Sequence, residues 1–419
     1  VTLITVAGAF HAVHAVLYVR SSQGAIAWAI SLVTFPYIAM PLYWVFGRRR
    51  FKGYAAARRA GHSELDRLAR EVHEAVAQHT IPVLPGLERI YKPAAGLTSL
   101  PFTGGNDVEL LINGRETFEA MLAEIRRAER YILVQFFIMR ADRIGTDFKD
   151  ALVERARAGV RVCLLYDEVG SRKLAKGYLK ELREAGADAR PFRSTKGPGN
   201  RFQLNLRNHR KVLIVDGRKA VAGGLNLGDE YLGEHETLGP WRDTHVELEG
   251  PAVQCMQLVF AEDWHWATGG LLELEWSPTV AEKDEEAALI LPTGPSDALD
   301  TFQLFFVSTV QASHTRFWAA SAYFVPDPAV VTALQLAALR GVDVRILLPD
   351  RPDHLLVYLS AFSYYRAMLS AGVKIYRYKE GFMHQKVLLL DDVMAVVGTA
   401  NLDNRSFHLN FEVSVVVPD

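Results

Sequence analysis

The sequence predicts an α/β protein: two pseudo-symmetric α/β sandwich halves with mixed sheets, preceded by an N-terminal transmembrane helical hairpin. Three observations support this. Strand-type apolar runs alternate with helical segments over most of the chain, one motif occurs in both halves, and the first 46 residues are dominated by apolar runs. We divide the 419 residues into a hairpin (1–50), a juxtamembrane helix and linker (51–106), a first half (107–280) and a second half (281–419).

The hairpin is predicted from two apolar runs joined by a short polar turn. The first covers 1–19, and the second, 24–46, contains no charged residue. A helix of that second length is long enough to cross about 30 Å of hydrocarbon, and membrane helices tolerate its prolines. A basic cluster follows the second run: Arg48, Arg49, Arg50 and Lys52. By the positive-inside rule, the rest of the chain lies in the cytoplasm, with this cluster against an anionic membrane surface.

Each half is predicted from strands that alternate with helices. In the first half we expect helix 114–130, strand 131–139, helix 148–158, strand 160–166 and a helix ending at 185. In the second half we expect helix 299–313, strand 317–324, helix 328–340, strand 342–348 and helix 354–371. The matching order indicates an internal repeat with one α/β unit per half.

A block that reads H-x-K-x4-D occurs once in each half. Its six motif residues are His209, Lys211, Asp216, His384, Lys386 and Asp391. A turn of small residues and an asparagine follow each copy, ending at Asn226 and Asn401. The separation is 175 positions for both the histidines (384 − 209) and the asparagines (401 − 226). Two copies in register are much stronger evidence than one short motif.

The residue types in this block suit phosphodiester chemistry. On a strand, residues i and i+2 share a face, so each histidine projects beside its lysine. If the halves meet about a pseudo-twofold axis, two ammonium groups and the amides of Asn226 and Asn401 can surround a phosphate. One imidazole can then attack phosphorus while the other protonates the leaving oxygen. This division of labour needs no metal and no cofactor. Asp216 and Asp391 complete the catalytic motif, with a mainly structural role at the strand end.

Each catalytic histidine is expected to need a carboxylate that fixes its tautomer. Asp243 follows His209 by 34 positions, and Glu412 follows His384 by 28. The two acids occupy corresponding places in the halves. We therefore predict that Asp243 and Glu412 orient the histidines.

Bulk composition excludes several classes of protein. The net charge is −1, so no global basic field favours nucleic acid as a partner. The two cysteines, Cys163 and Cys255, are too few for a disulfide framework or a cysteine-rich metal site.

These features resemble the phospholipase D superfamily, and within it the bacterial cardiolipin synthases. The resemblance rests on both motif blocks, the N-terminal hairpin and several further segments: 223–231, 263–264, 323–327 and 398–407. One departure is Gln135, where the resemblance leads us to expect an acidic residue.

The resemblance implies a transfer of phosphatidyl between two phosphatidylglycerols, giving cardiolipin and glycerol. His209 would be the nucleophile and His384 the general acid and base, although the pseudo-symmetry allows the reverse. It also implies a multi-pass protein of the bacterial inner (plasma) membrane with a cytoplasmic catalytic domain. The oligomeric state, including a homodimer, stays open. Aromatic residues could form an apolar entrance for lipid: Phe302, Phe305, Phe306, Trp318, Tyr358, Phe362, Tyr364 and Tyr365.

Three alternatives stay open at this point. The first is a hydrolytic phospholipase D, or a phosphatidyltransferase that uses another alcohol acceptor. The second is a nuclease, which the near-neutral charge disfavours. The third is a non-catalytic membrane scaffold, which two complete motifs disfavour.

Overall fold

The computed structural model describes residues 2–19, 22–47, 54, 62–83, 88–196, 205–235, 237–283 and 286–418. The basic cluster predicted to face the membrane surface lies outside these residues. The N-terminal part includes the α-helices α1 (Thr2–Tyr18), α2 (Ser22–Thr34), α3 (Pro36–Phe46), α4 (His62–Val76) and α5 (Glu88–Leu97).

Helices α1, α2 and α3 pack together at the N-terminus. Ala15, Leu32 and Tyr43 are buried where they meet. The second predicted span is divided at Phe35, because Pro36 has no N–H to continue the helix and instead begins α3. Among the described helices, none combines the length and the apolar character needed to cross a membrane.

The two halves follow as two series of strands and helices. In chain order, the first half contains β1 (Thr103–Ile112), α6 (Asn113–Arg127), β2 (Tyr131–Phe136), α7 (Arg143–Arg157), β3 (Arg161–Asp167), α8 (Lys176–Glu184), β4 (Asp188–Phe192), β5 (Arg207–Asn208), β6 (Val212–Val215), β7 (Lys219–Gly223), β8 (Trp241–Arg242), β9 (Thr244–Glu249) and α9 (Ala252–Thr268). The second half contains β10 (Glu286–Thr293), α10 (Thr301–Ala312), β11 (Arg316–Ser321), β12 (Phe324–Val325), α11 (Pro328–Leu339), β13 (Asp343–Pro349), α12 (Leu355–Ser370), β14 (Lys374–Tyr378), β15 (Phe382–Met383), β16 (Lys386–Leu390), β17 (Met394–Gly398), β18 (Leu402–Asp403), α13 (Asn404–His408) and β19 (Asn410–Pro418).

The strand order is the same in both halves. In the first half it is β1-β9-β7-β6-β2-β3-β4, and in the second half it is β10-β19-β17-β16-β11-β13-β14. Strands β1 and β10 pair with each other and join the two series across the pseudo-twofold axis. Parallel pairs such as β2–β3 and antiparallel pairs such as β2–β6 occur in one sheet, so the predicted mixed α/β architecture is confirmed. The predicted division at residues 106 and 107 falls within β1.

Helix α9 lies in the centre of the molecule. It is mainly apolar, most of its side chains are buried, and it packs against β4, β9 and β10. A helix with so much apolar surface is stable only when other elements cover most of it. Its contacts with β9 of the first half and β10 of the second half place α9 where the two halves meet.

Candidate active site

Both motif histidines bind a carboxylate through Nδ1. His209 Nδ1 lies 2.8 Å from Glu412 Oε2, and His384 Nδ1 lies 2.8 Å from Asp243 Oδ2. The carboxylates are fully buried and the imidazoles nearly so. Each carboxylate meets the histidine of the other half, not the histidine that precedes it along the chain.

Two short parallel strand pairs produce this exchange. Strand β5 pairs with the start of β19, and the N–H of His209 donates to the carbonyl of Phe411 at 2.9 Å, one residue before Glu412. Strand β15 pairs with β8, and the N–H of His384 donates to the carbonyl of Arg242 at 2.8 Å. The backbone of each half therefore carries the acid that the other half needs.

The carboxylates fix the imidazole tautomers. Burial alone would raise the pKa of Glu412, but His209 and Lys211 outweigh burial and lower it to about 2. Burial is likewise outweighed at Asp243, where the charge of Lys386 leads the groups that lower its pKa. An ionised carboxylate can only accept hydrogen bonds, so Nδ1 of each imidazole carries the proton. The lone pair of the neutral ring is then on Nε2.

The histidines are neutral near pH 7. Burial lowers the pKa of His209 to about 4, against the opposing charge of Glu412. Burial also lowers the pKa of His384, and the charge of Lys386 acts in the same direction. A neutral imidazole with a free Nε2 is the form that attacks phosphorus.

Lys211 and Lys386 are buried beside their histidines. Each Nζ donates to the backbone carbonyl of its own motif histidine. Burial lowers the pKa of Lys211 to about 7 and that of Lys386 to about 8. The charge of Lys386 also lowers the pKa of Lys211, so the two ammonium groups are close enough to repel each other. A phosphodiester between them would relieve this repulsion and accept their remaining protons.

The turn of small residues after each motif strand makes room for the carboxylates. A Cβ added to Gly224 would lie 2.2 Å from Oδ1 of Asp243. The corresponding position, 175 residues later, is Thr399, whose hydroxyl donates to Oε2 of Glu412 at 2.6 Å. The turn at Gly224 leaves space for Asp243, and the turn at Thr399 both leaves space for Glu412 and hydrogen-bonds to it.

Asn226 and Asn401 are buried close to the motif strands, in different hydrogen-bond environments. The amide of Asn226 accepts from the N–H of Ile138 at 3.1 Å and donates to the hydroxyl of Tyr231 at 3.0 Å. The side-chain oxygen of Asn401 has no hydrogen-bond partner among the described residues. Phosphate binding by these amides stays a prediction.

Asp216 and Asp391 are part of the motif but not of the histidine site. The carboxylate of Asp216 accepts from the backbone N–H groups of 129–131, and that of Asp391 from those of 314–316. Each aspartate follows its strand at the end opposite the lysine, about 16 Å away for five extended residues. These contacts are of the structural kind expected for the two aspartates, which hold the backbone at the start of β2 and β11.

Sequence reasoning missed a buried polar network behind the motif of the first half. Its centre is Asp263 on α9, which accepts from four side chains: Arg210 (2.7 Å), Gln135 (2.7 Å), Asn208 (2.8 Å) and Tyr54 (3.1 Å). Arg210 also donates to the backbone carbonyl of Glu412 at 3.0 Å. The sequence signal that could have revealed this network was an acid inside the mainly apolar α9.

The network also explains why residue 135 is a glutamine. The amide of Gln135 donates to Asp263, whereas a carboxylate at position 135 would repel the carboxylate of Asp263.

Sequence comparisons agree with this geometry. The family model described as cardiolipin synthase, phospholipase D-like domain matches residues 121–264 and 306–419. The chain belongs to the cardiolipin synthase family. A second family model, phospholipase D-nuclease N-terminal, matches residues 3–48. Cardiolipin synthase A of Pseudomonas aeruginosa is 50% identical over 99% of this chain and 85% of its own length. Cardiolipin synthase A of Pseudomonas fluorescens is 45% identical over 100% of this chain and 88% of its own length.

A solved structure supports the fold of this cardiolipin synthase family member. The phosphatidylserine synthase of Haemophilus influenzae superposes with a TM-score of 0.58 at 14% identity. The match covers 78% of this chain and 86% of that structure. At this identity the likeness shows a shared fold only.

The aromatic entrance predicted for a cardiolipin synthase is only partly present. Phe302, Phe305 and Phe306 are buried in the core, which is the more common position of such aromatic residues, and they do not line an entrance. Their helix, α10, reads as an aromatic surface in sequence, but it packs inward against α5 and α11. Phe362 is exposed on α12, and Tyr358 lies beside it with ring centroids 5.2 Å apart.

Proposed function

We propose that this chain is a cardiolipin synthase that transfers a phosphatidyl group between two phosphatidylglycerols, giving cardiolipin and glycerol. The observation that carries the proposal is the pair of exchanged contacts, His209 with Glu412 and His384 with Asp243. These contacts give one buried site two imidazoles with free Nε2 atoms, and they make each half dependent on the other. The names of the relatives supply the product, cardiolipin.

In the first step, Nε2 of His209 attacks the phosphorus of one phosphatidylglycerol. A P–N bond forms, the P–O bond to the head-group glycerol breaks, and His384 gives its proton to the departing oxygen. The anionic phosphodiester raises the pKa of His384 from its lowered value by adding negative charge beside it. Lys211 and Lys386 offset the charge that develops on the non-bridging oxygens.

In the second step, the terminal glycerol hydroxyl of another phosphatidylglycerol attacks the same phosphorus. His384, now neutral, accepts the hydroxyl proton, the new P–O bond forms and the P–N bond to His209 breaks. The products are cardiolipin and the original enzyme. Exclusion of water from a nearly buried site favours a lipid hydroxyl over hydrolysis.

We propose further that α1–α3 sit in the bacterial inner membrane, with the catalytic halves on its cytoplasmic side. Apolar side chains of these helices point outward without a covering element in the described residues, with Leu3, Phe10 and Ile38 all more than half exposed. The positive charges after residue 47 support the orientation.

Product analysis tests the proposed reaction. The purified chain is incubated with phosphatidylglycerol as the sole lipid, and lipids and water-soluble products are separated. Cardiolipin and glycerol in equal amounts are expected. Phosphatidic acid and glycerol would identify a hydrolase instead. If no new lipid forms until another alcohol is added, that alcohol is the acceptor. His209→Ala is the inactive control, since it removes the attacking nitrogen.

A further inference from the structure

Helix α12 has an outward face that is unusual for a soluble protein. Its first two turns expose Leu355, Leu356, Leu359 and Phe362, and Leu356 is 80% exposed. The opposite side of the helix is also apolar, with Ala361 and Met368 buried against the second half. A surface helix normally has charged or polar side chains on its outward side, whereas this face of α12 is apolar.

This face begins beside a small cleft near the second motif. Tyr323, Asp353 and His354 line the cleft together with Tyr358 of α12. The hydroxyl of Tyr323 hydrogen-bonds to Asp353, and Asp353 is close enough to His384 and Lys386 for its charge to act on both. Leu355 follows His354 directly in sequence. Any molecule that covers the first turn of α12 therefore lies close to His384.

The helix itself carries only positive charge. The 16 residues of α12 contain no acid, and Arg366 is their only charged residue. The segment before the helix contains exposed Arg351 together with the acids Asp350 and Asp353. The guanidinium of Arg377 lies over the ring of Tyr358, 4.8 Å from its centroid, and 5.5 Å from that of Phe362. Aromatic and basic side chains at the rim of an apolar surface suit the boundary between acyl chains and anionic headgroups.

We propose that the first two turns of α12 insert into the surface of an anionic bilayer and deliver the lipid phosphodiester to His384. The helix is about 24 Å long, too short to span a bilayer, so it lies along the surface. This inference rests on the proposed lipid substrate: acyl chains remain in the membrane while the headgroup enters the cleft. The proposal gives a role to Leu356 and Leu359, apolar side chains that are exposed on α12.

Lipid contact is measured without turnover in the inactive His209→Ala chain. Cys163 and Cys255 are buried, so a cysteine introduced at Leu356 can be labelled selectively with a fluorophore. Leu339, at the end of α11, is a matched control because it is 71% exposed. In proteoliposomes of phosphatidylglycerol with spin-labelled acyl chains, Leu356→Cys should be quenched and Leu339→Cys should not. Equal quenching at the two positions would overturn the proposal, and so would cross-linking of residue 356 between two copies.

Turnover gives a second test. The double variant Leu356→Asp, Leu359→Asp should lose about tenfold or more activity on phosphatidylglycerol vesicles, since charge opposes insertion. It should match the unaltered chain on dispersed short-chain phosphatidylglycerol, and Leu339→Asp should match it on both substrates. Equal losses on both substrates would overturn membrane docking by α12. If the unaltered chain made no cardiolipin from either substrate, the proposed reaction would fail, while the quenching result would still stand.

Discussion

At the scale of single residues, the contact between Glu412 and His209 selects the imidazole nitrogen that reacts. Glu412 also accepts from Thr399, Ser406 and Asn410, so its oxygens are held in one orientation. Four donors around a buried carboxylate favour its ionised form, in agreement with its low pKa. The proton on Nδ1 follows from that charge.

Replacement of this carboxylate by an amide tests the tautomer argument. Glu412→Gln can present an N–H to Nδ1 and stabilise the wrong tautomer, so kcat should fall on the order of 10⁴-fold with little change in KM. The matched control is Glu247→Gln on β9, where the acid pairs with Lys219 away from the histidines. Wild-type kcat in Glu412→Gln would mean that the contact does not orient His209.

The lysines predict the pH dependence of the reaction. An ammonium is charged below its pKa, and the pKa values of Lys211 and Lys386 are about 7 and about 8 in the absence of substrate. Burial lowers the pKa of His384, which must donate a proton in the first step, so we expect kcat/KM to fall first as His384 loses that proton and further as the pH rises through the range of the lysines. At the acid side it should fall near pH 4, where His209 becomes protonated.

A comparison of two kinetic parameters checks this assignment. Bound phosphodiester raises the lysine pKa values, so the alkaline limb of kcat should lie at higher pH than that of kcat/KM. Steady-state rates measured from pH 4 to pH 10 give the alkaline limbs of kcat and of kcat/KM. Identical alkaline limbs would show that the titrating group does not touch phosphate.

At the scale of elements, the motif aspartates join strands rather than bind substrate. Asp216 has a φ of 53° and Asp391 a φ of 47°, in the left-handed region where aspartate is more readily accommodated than most residues. Each follows its motif strand at a turn and accepts three backbone N–H bonds from the preceding edge. The same side chain thus ends one strand and aligns its neighbour.

Asp216→Asn should therefore affect stability and leave chemistry nearly intact. The amide keeps one acceptor oxygen and tolerates the left-handed backbone, so the expected loss is about 1–3 kcal/mol of unfolding free energy. Denaturant unfolding measures the loss, and kcat of the folded variant should match that of the unaltered chain. A collapse of kcat in a normally stable Asp216→Asn variant would return this residue to the catalytic set.

Elements with a strong apolar pattern were predictable from sequence, and their ends were less so. The strand predicted at 160–166 is β3, and the helix predicted at 328–340 is α11. Helix α7 begins at Arg143, five residues before the prediction, because Asp142 caps it by accepting from the N–H of Gly145. The strand predicted to reach 139 ends at Phe136. Capping and turn contacts involve single residues, which a periodic pattern does not register.

At the scale of the whole molecule, the repeat predicted the site residues but not their partners. The spacing of the motif predicted both histidines and both lysines, and the need for a partner to each histidine predicted both carboxylates. It could not reveal that Arg207 pairs with Asn410, or Trp241 with Phe382, because those segments are far apart in sequence and only two residues long. The same limit hid Asp263, whose four donors come from three separate parts of the chain.

The central claim is that both halves form one site around one phosphorus. It is tested most directly by rapid quenching of the full chain with a phosphatidyl ester of an activated phenol, followed by mass spectrometry of its peptides. Such a leaving group needs no general acid, so His384→Ala should accumulate one phosphatidyl group per chain, on His209, because the base for the second step is absent. The unaltered chain should release it quickly to phosphatidylglycerol. Two phosphatidyl groups per chain, or normal turnover by His384→Ala, would contradict a single shared site.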